Sequence, residues 1–167
     1  MTTTTLTPAD FRRVVGNFAT GITVLTVERQ PGQVHGMTAS SFTSVSLQPM
    51  MILVCIDHNA RLLSFLKEQR RFGVNILRDT QQTFSEHFAK PNQEAEENER
   101  LGIKFQWSPS GIPLLAGALA QLACIVTAEY PAGDHALFLA EVESLEASEG
   151  EPLVHHRGKY RVLKPGG

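Results

Sequence analysis

The sequence predicts a mainly β protein with flanking helices, and three observations carry that prediction. Runs rich in β-branched residues recur along the chain, several of them bounded by Gly, Pro or Asp. Two long alternating runs, 118–129 and 136–146, are joined by Tyr130-Pro131-Ala132-Gly133-Asp134-His135, as an antiparallel hairpin requires. No regular strand–helix–strand repeat appears, which disfavours a doubly wound parallel sheet. The economical architecture is a closed antiparallel barrel with helices packed outside it.

The elements follow in order. Residues 1–7 are expected to be a disordered tail and 8–164 a single domain. Thr7-Pro8-Ala9-Asp10 is a helix start, with Thr7 as N-cap, Pro8 at the first helical position and acidic Asp10 in the first turn. Phe11, Val14, Val15 and Phe18 then recur at helical spacing, and Gly21 is expected to stop the helix. Residues 22–27 alternate as a strand, and Gln30-Pro31-Gly32-Gln33 is a turn. Residues 34–46 form an extended run that ends at Pro49, and the apolar run 50–56 reads as a strand buried on both faces.

Asn59 is placed to cap a second helix, in which Leu62, Leu63 and Leu66 share one side. A strand over 72–77 carries Asn75 at its middle, and a third helix spans about 80–88. Residues 89–100 hold four glutamates and no large apolar side chain, the pattern of a solvated loop or exposed helix. Short strands at 105–107, 152–155 and 159–163 complete the sheet, with Arg157-Gly158 as a turn.

Composition excludes several classes. A chain of 167 residues with 42% hydrophobic content is one domain with a core of its own. The net charge of −2 is spread with mixed signs, not as the basic stripe of a nucleic-acid protein. No apolar run is long enough to span a bilayer, and Met-Thr-Thr-Thr-Thr has neither the basic start nor the apolar core of a signal peptide. Cys55 and Cys124 lie far apart in apolar runs, as buried thiols do. A cytoplasmic location is expected.

The organising stretch is Gly36 to Ser46. Read as one extended ribbon, it puts Thr38, Ser40, Ser44 and Ser46 on one face and Met37, Ala39, Thr43 and Val45 on the other. Two readings stay open: a solvent-facing hydroxyl strand, or a shelf for a planar ring with a polar tail. Other motifs are absent. No Gly-x-Gly-x-x-Gly follows a strand, and Gly16 and Gly21 have P-loop spacing but Ile22 where the lysine belongs. There is no Cys-x-x-Cys or His-Glu-x-x-His, and the adjacent His155 and His156 point to opposite faces of a strand, so no metal is expected. No nucleophile elbow is present. Chemistry, if any, falls to a borrowed cofactor.

Two further spots stand out. Asn59-Ala60-Arg61 at a helix start offers free N–H groups and a forked cation to an anion such as a phosphate. The alternative is a plain cap with a solvated arginine. Gly133-Asp134-His135 sits between two long strands and reads first as a plain hairpin turn with an incidental histidine, and second as a binding spot.

Together these segments resemble the short flavin reductases that serve two-component flavin-dependent monooxygenases, of the phenol and 4-hydroxyphenylacetate hydroxylase type. The resemblance rests on Phe18-Ala19-Thr20-Gly21-Ile22-Thr23-Val24, on His35-Gly36-Met37-Thr38-Ala39-Ser40-Ser41-Phe42, on Ser44-Val45-Ser46-Leu47, on Val74-Asn75-Ile76-Leu77, on Gly133-Asp134-His135 and on Gly158-Lys159-Tyr160. It departs at Gln48-Pro49, where many relatives carry two prolines.

The resemblance implies an FMN-binding split β-barrel, usually a homodimer. It implies an NAD(P)H-dependent flavin reductase that passes reduced FMN or FAD to a partner monooxygenase. Thr38, Ala39, Ser40 and Ser46 would hold the ring and ribityl chain. Cys55, Ile56, Asp57, Asn59, Ala60 and Arg61 would meet the lower ribityl chain and phosphate, and Phe88 and Ala89 would also reach the flavin. His135 would meet NADH or NADPH as the catalytic-site histidine, and Tyr160 would border the same pocket. Two rivals share the barrel: a pyridoxamine-oxidase-like enzyme with tightly held FMN, and a non-enzymatic flavin- or haem-binding module.

Overall fold

The computed structural model describes residues 5–93 and 95–163; most of the expected N-terminal tail, residues 1–4, lies outside them. Helix α1 (Pro8–Val15) starts as expected, with the Asp10 N–H donating to Thr7 Oγ1 at 3.1 Å. It ends at Val15, six residues before Gly21. Gly16 is its C-cap, and the Asn17 side-chain amide donates to the Arg13 and Val14 carbonyls, satisfying acceptors that a continuing helix would have used.

Strands β1 (Thr20–Gly21), β2 (Thr23–Gln30), β3 (Gln33–Ala39), β4 (Phe42–Leu47) and β5 (Met50–Asp57) follow. Then come α2 (Arg61–Gln69), β6 (Arg71–Ile76), a 3-10 turn (Asp79–Gln81), α3 (Gln82–Phe88) and α4 (Ala95–Arg100), the last being the exposed helix allowed for in the glutamate-rich segment. Strands β7 (Phe105–Trp107), β8 (Pro113–Leu115), β9 (Ala120–Ala132), β10 (His135–Ala147), β11 (Val154–His156) and β12 (Lys159–Arg161) complete the chain.

Seven strands form one antiparallel sheet in the order β3-β2-β6-β9-β10-β5-β4. It is not closed, and this corrects the expectation of a closed barrel. The two edges, β3 and β4, are consecutive in the chain, so the barrel is split along the passage through Ser40-Ser41. The hydroxyl ribbon is therefore two strands on opposite edges rather than one continuous face. Ser41 accounts for the break. Its Oγ donates to the Cys55 carbonyl at 2.8 Å and accepts from the Cys55 N–H at 3.2 Å, so a side chain takes the place of a ladder partner.

Inside the curl of the sheet, Leu25, Val54, Ile56, Phe72 and Phe138 pack with Leu62 and Leu66 of α2. A second cluster joins Ile22, Val24, Leu77, Phe88 and Leu115. Strand β5 alternates between buried and half-buried residues, so it is not covered on both faces as its continuous apolar run implied.

Asn75, with no exposed surface, ties three strands together. Its Nδ2 donates to the Val24 carbonyl (2.8 Å) and Thr26 Oγ1 (3.1 Å), and its Oδ1 accepts from the Leu115 N–H (2.7 Å). Asn75→Ala leaves the Leu115 N–H without its acceptor and removes both side-chain bonds to β2, while Thr26 Oγ1 keeps the Pro113 carbonyl, and the expected loss is about 2 kcal/mol of unfolding free energy. Chemical denaturation checks this; a loss under about 1 kcal/mol contradicts it.

Candidate functional site

The free edge of β3 is the feature around which the site is built. A cavity of about 400 Å³ lies along it, between the start of α2 and the segment after α3. Thr38, Asn59, Ala60, Arg61, Phe88 and Ala89, six of the predicted residues, line it. The volume falls within the usual range of small-molecule sites. A larger hollow, about 520 Å³, gathers Arg12, Arg13 and Arg157 beside α1 but includes none of the predicted residues.

Glycine at position 36 allows the close packing of this wall. A Cβ there would stand 2.4 Å from Cδ1 of Phe88. The Gly36 N–H donates to Gln93 Oε1 at 3.2 Å, and Gln93 Nε2 donates to the Gly36 carbonyl at 2.7 Å. The Gln93 amide thus pairs with the strand edge as another strand would. Antiparallel ladders alternate, so the N–H and C=O of Thr38, two residues on, face the same outer edge. The Thr38 hydroxyl is committed elsewhere, donating to the Ser85 carbonyl at 2.7 Å. What Thr38 presents to the cavity edge is its backbone.

The opposite wall is the start of α2. Asn59 does not cap it, contrary to expectation. Both its backbone N–H and its Nδ2 donate to Asp57 Oδ1, at 2.7 and 3.1 Å, so the side chain is spent closing the turn. Ala60 occupies the N-cap position without a side-chain bond, which leaves the first N–H groups of α2 unclaimed by any cap. Arg61 stands beside them at the cavity. These are donors and a cation suited to a phosphate.

His35 lines the same cavity against the ring of Phe65. Burial, then the guanidinium groups of Arg61 and Arg29, push its pKa below the ordinary value, so the imidazole is neutral at pH 7.

The remaining predicted residues lie outside this cavity. Ser40 is exposed in the crossover between the two edge strands. Ala39 precedes it at the end of β3, half-buried against the core. Ser46 accepts the Gln48 N–H near the end of β4. Cys55 is half-buried opposite Leu137, while the Ile56 side chain belongs to the core, so only its backbone is available to a ligand. Burial raises the Cys55 thiol pKa and lifts that of Cys124 to about 12, leaving neither as a thiolate.

His135 is paired with Asp57 across β10 and β5, and the Asp134 carbonyl accepts the His58 N–H at 3.0 Å. The Gly-Asp-His turn is thereby brought beside Asn59 at the cavity's rim. The Asp134 carboxylate, 2.7 Å from His135 Nδ1, is held below the usual carboxylate range by that hydrogen bond. Tyr160 meets Ser85 Oγ at 2.9 Å and packs edge-on to His155, which ties β12 to the helix under the cavity.

Sequence reasoning missed His35, Gln93 and Lys90 in the lining. Gln93 lies in a segment without apolar periodicity, and a lone glutamine carries no pattern. One signal was available: a glycine inside a strand, Gly36, marks close approach of another group.

The model for the flavin reductase like domain matches residues 15–164. An NADH-dependent flavin reductase of Rhodococcus sp. is 41% identical over 161 residues, which cover 95% of this chain and 88% of that protein. The reductase component of a 4-nitrophenol 4-monooxygenase/4-nitrocatechol 2-monooxygenase of Rhodococcus opacus is 35% identical, covering 96% of this chain and 83% of its own length. The solved structure of the styrene monooxygenase flavin reductase from Pseudomonas putida superposes with a TM-score of 0.85 at 36% identity, over 94% of this chain and 99% of that one.

Proposed function

The chain belongs to the flavin reductase like family, and on that premise we propose that it transfers a hydride from NADH to FMN or FAD and supplies the reduced flavin to a partner monooxygenase. The observation that carries this reading is the cavity itself. A free strand edge at Thr38 faces a helix start that carries Arg61, and small residues line the space between.

A flavin fits these residues. The edge backbone at Thr38 suits the polar rim of a flat ring, Gly36 keeps the wall thin, and the α2 start with Arg61 suits the phosphate. When bound, the flavin supplies a ring that accepts hydride at N5 from nicotinamide C4. The chain's own task is positional. The N–H groups of the β3 edge would hold the polar rim of the ring and would favour negative charge developing there. Arg61 fixes the tail. His135, at the rim, orients the nicotinamide nucleotide by a hydrogen bond. No side chain need move a proton for the hydride step.

His135→Ala is expected to raise the KM for NADH about tenfold, the loss of one hydrogen bond of roughly 1.5 kcal/mol, with a smaller change in the flavin KM. Initial-rate kinetics in both substrates check it; an unchanged KM for NADH removes His135 from the site.

The pairing of reductase and oxygenase implies release of reduced flavin, so micromolar flavin affinity fits the role, roughly −8 kcal/mol. A pyridoxamine-oxidase-like enzyme or a carrier module would instead retain its ligand through purification. No helix among the described residues is long and apolar enough to cross a membrane, and a cytoplasmic setting suits a consumer of NADH.

The working unit we propose is a homodimer. Helix α1 has no buried residue, and Phe11 (68%), Phe18 (78%) and Leu47 (90%) are strongly exposed. A second copy would cover such an apolar surface. Light scattering should return about twice the 18.4 kDa of one chain; a monomer contradicts the proposal.

The reaction is tested by following nicotinamide oxidation with riboflavin, FMN and FAD, each against NADH and NADPH. Acceleration by the protein with at least one pair is expected. No acceleration with any pair contradicts the assignment.

A further inference from the structure

Phe88, Ala89, Lys90 and Gln93 form one wall of the cavity, on the segment that leaves α3. The Lys90 N–H donates to the His87 carbonyl at 3.1 Å, which closes a turn at the helix end. Residues 91–93 belong to no helix or strand. The wall therefore depends on side chains to hold its place.

Two sets of contacts do so. The first is the pairing of Gln93 with Gly36. The second centres on Glu97 of α4, which does not line the cavity. Glu97 Oε1 accepts from Lys90 Nζ at 3.0 Å and from Arg100 of its own helix at 3.2 Å. Its other oxygen stands 3.2 Å from Nδ1 of His87. The Lys90 hydrogen bond holds the Glu97 carboxyl below the usual carboxylate range, so it is charged at neutral pH.

His87 makes this contact unusual. Its ring is 1% exposed, and neither nitrogen has an aligned hydrogen-bond partner among the described residues. Burying a polar ring in that way is unfavourable, and a carboxylate at this distance offsets the cost. The ring also lies edge-on to Phe88, whose own ring packs on Gly36. A second path runs from Glu97 to Lys90, whose carbonyl accepts Gln93 Nε2 at 3.3 Å, and so to the β3 edge.

We propose that Glu97 is a positioning residue of this site. It touches no ligand. Through His87, Lys90 and Gln93 it sets the wall at the separation from the β3 edge that a flat ring requires. The inference rests on the flavin reductase reading. Glu96 provides the control: it carries the same charge on the same helix, is exposed, and is in no ion pair among the described residues.

The test compares the full chain with Glu97→Ala and Glu96→Ala. Amide hydrogen exchange is read by NMR on the free protein. In Glu97→Ala the Gly36 N–H, which Gln93 covers, should exchange about tenfold faster, while amides of the central strand β6 keep their protection. FMN affinity should fall about five- to tenfold, with kcat at saturating FMN within about twofold of the wild type. Glu96→Ala should match the wild type in all three. Wild-type exchange at Gly36 or wild-type FMN affinity in Glu97→Ala overturns the proposal. The same changes in Glu96→Ala also overturn it, because net charge then explains them. So does faster exchange throughout the sheet, which marks a role in folding. Failure of the reductase reading would show differently: Gly36 exchange would still respond to Glu97, but the wild type would oxidise NADH with no flavin.

Discussion

Gly36→Ala should lower unfolding free energy by about 1–3 kcal/mol and raise the flavin KM more than tenfold. The added methyl would lie 2.4 and 2.6 Å from two ring carbons of Phe88. The ring has little room to yield. It is 2% exposed, sits edge-on to His87 at 4.9 Å and is backed by Phe105. Displacing it moves the wall that Phe88 and Ala89 give the cavity. The same shift strains the two Gln93 hydrogen bonds to Gly36, because residues 88–93 form one connected segment. Thermal unfolding and flavin-dependent rates measure the two effects. A variant with wild-type stability and flavin KM would show that the close approach at Gly36 has no bearing on the site.

Arg61→Ala should weaken FMN by a factor of ten to a hundred and riboflavin hardly at all. A hydrogen bond to a charged group contributes about 1.5–3 kcal/mol, and tenfold in affinity corresponds to about 1.4 kcal/mol. Arg61 is exposed in the free chain, so water competes and the lower end of that range is expected. Its contribution is not alone. The unclaimed N–H groups of the first α2 turn remain in the variant, so binding is weakened and not abolished. The comparison with riboflavin isolates the phosphate. Equal loss for both flavins would mean that Arg61 acts on the ring or the fold and not on the tail.

Much of this was legible in the residues. Thr7-Pro8-Ala9-Asp10 specified the start of α1 because capping is local chemistry that four residues settle. The long hairpin of β9 and β10 was legible because alternation over a dozen residues has one structural meaning. Of the expected binding residues, Thr38, Ala60 and Arg61 line one cavity, while Ser40 and Ser46 of the same hydroxyl stretch lie outside it.

Its geometry was not legible. Nothing in the pattern of Thr38 to Ser46 shows that Ser41 turns back on Cys55 and sends the two halves to opposite edges of the sheet. Local propensity describes a strand but not its neighbours, and an open seam is a matter of neighbours. Asn59 was misread for a related reason. An Asn before a helix serves a cap or a turn with equal ease, and here Asp57 claims it. Gly36 signalled a close approach but could not name Gln93, whose partner is 57 residues away along the chain.

The open edge of β3 as the seat of hydride transfer is the central claim, and anaerobic single-turnover mixing tests it most directly. Protein and flavin are mixed with NADH, and the yellow absorbance of the oxidised flavin is followed in time. The account predicts bleaching that is far faster than without protein, that saturates with NADH, and that slows when deuterium replaces the transferred hydrogen at nicotinamide C4. Bleaching at the rate of the protein-free mixture, with no effect of deuterium, would contradict it.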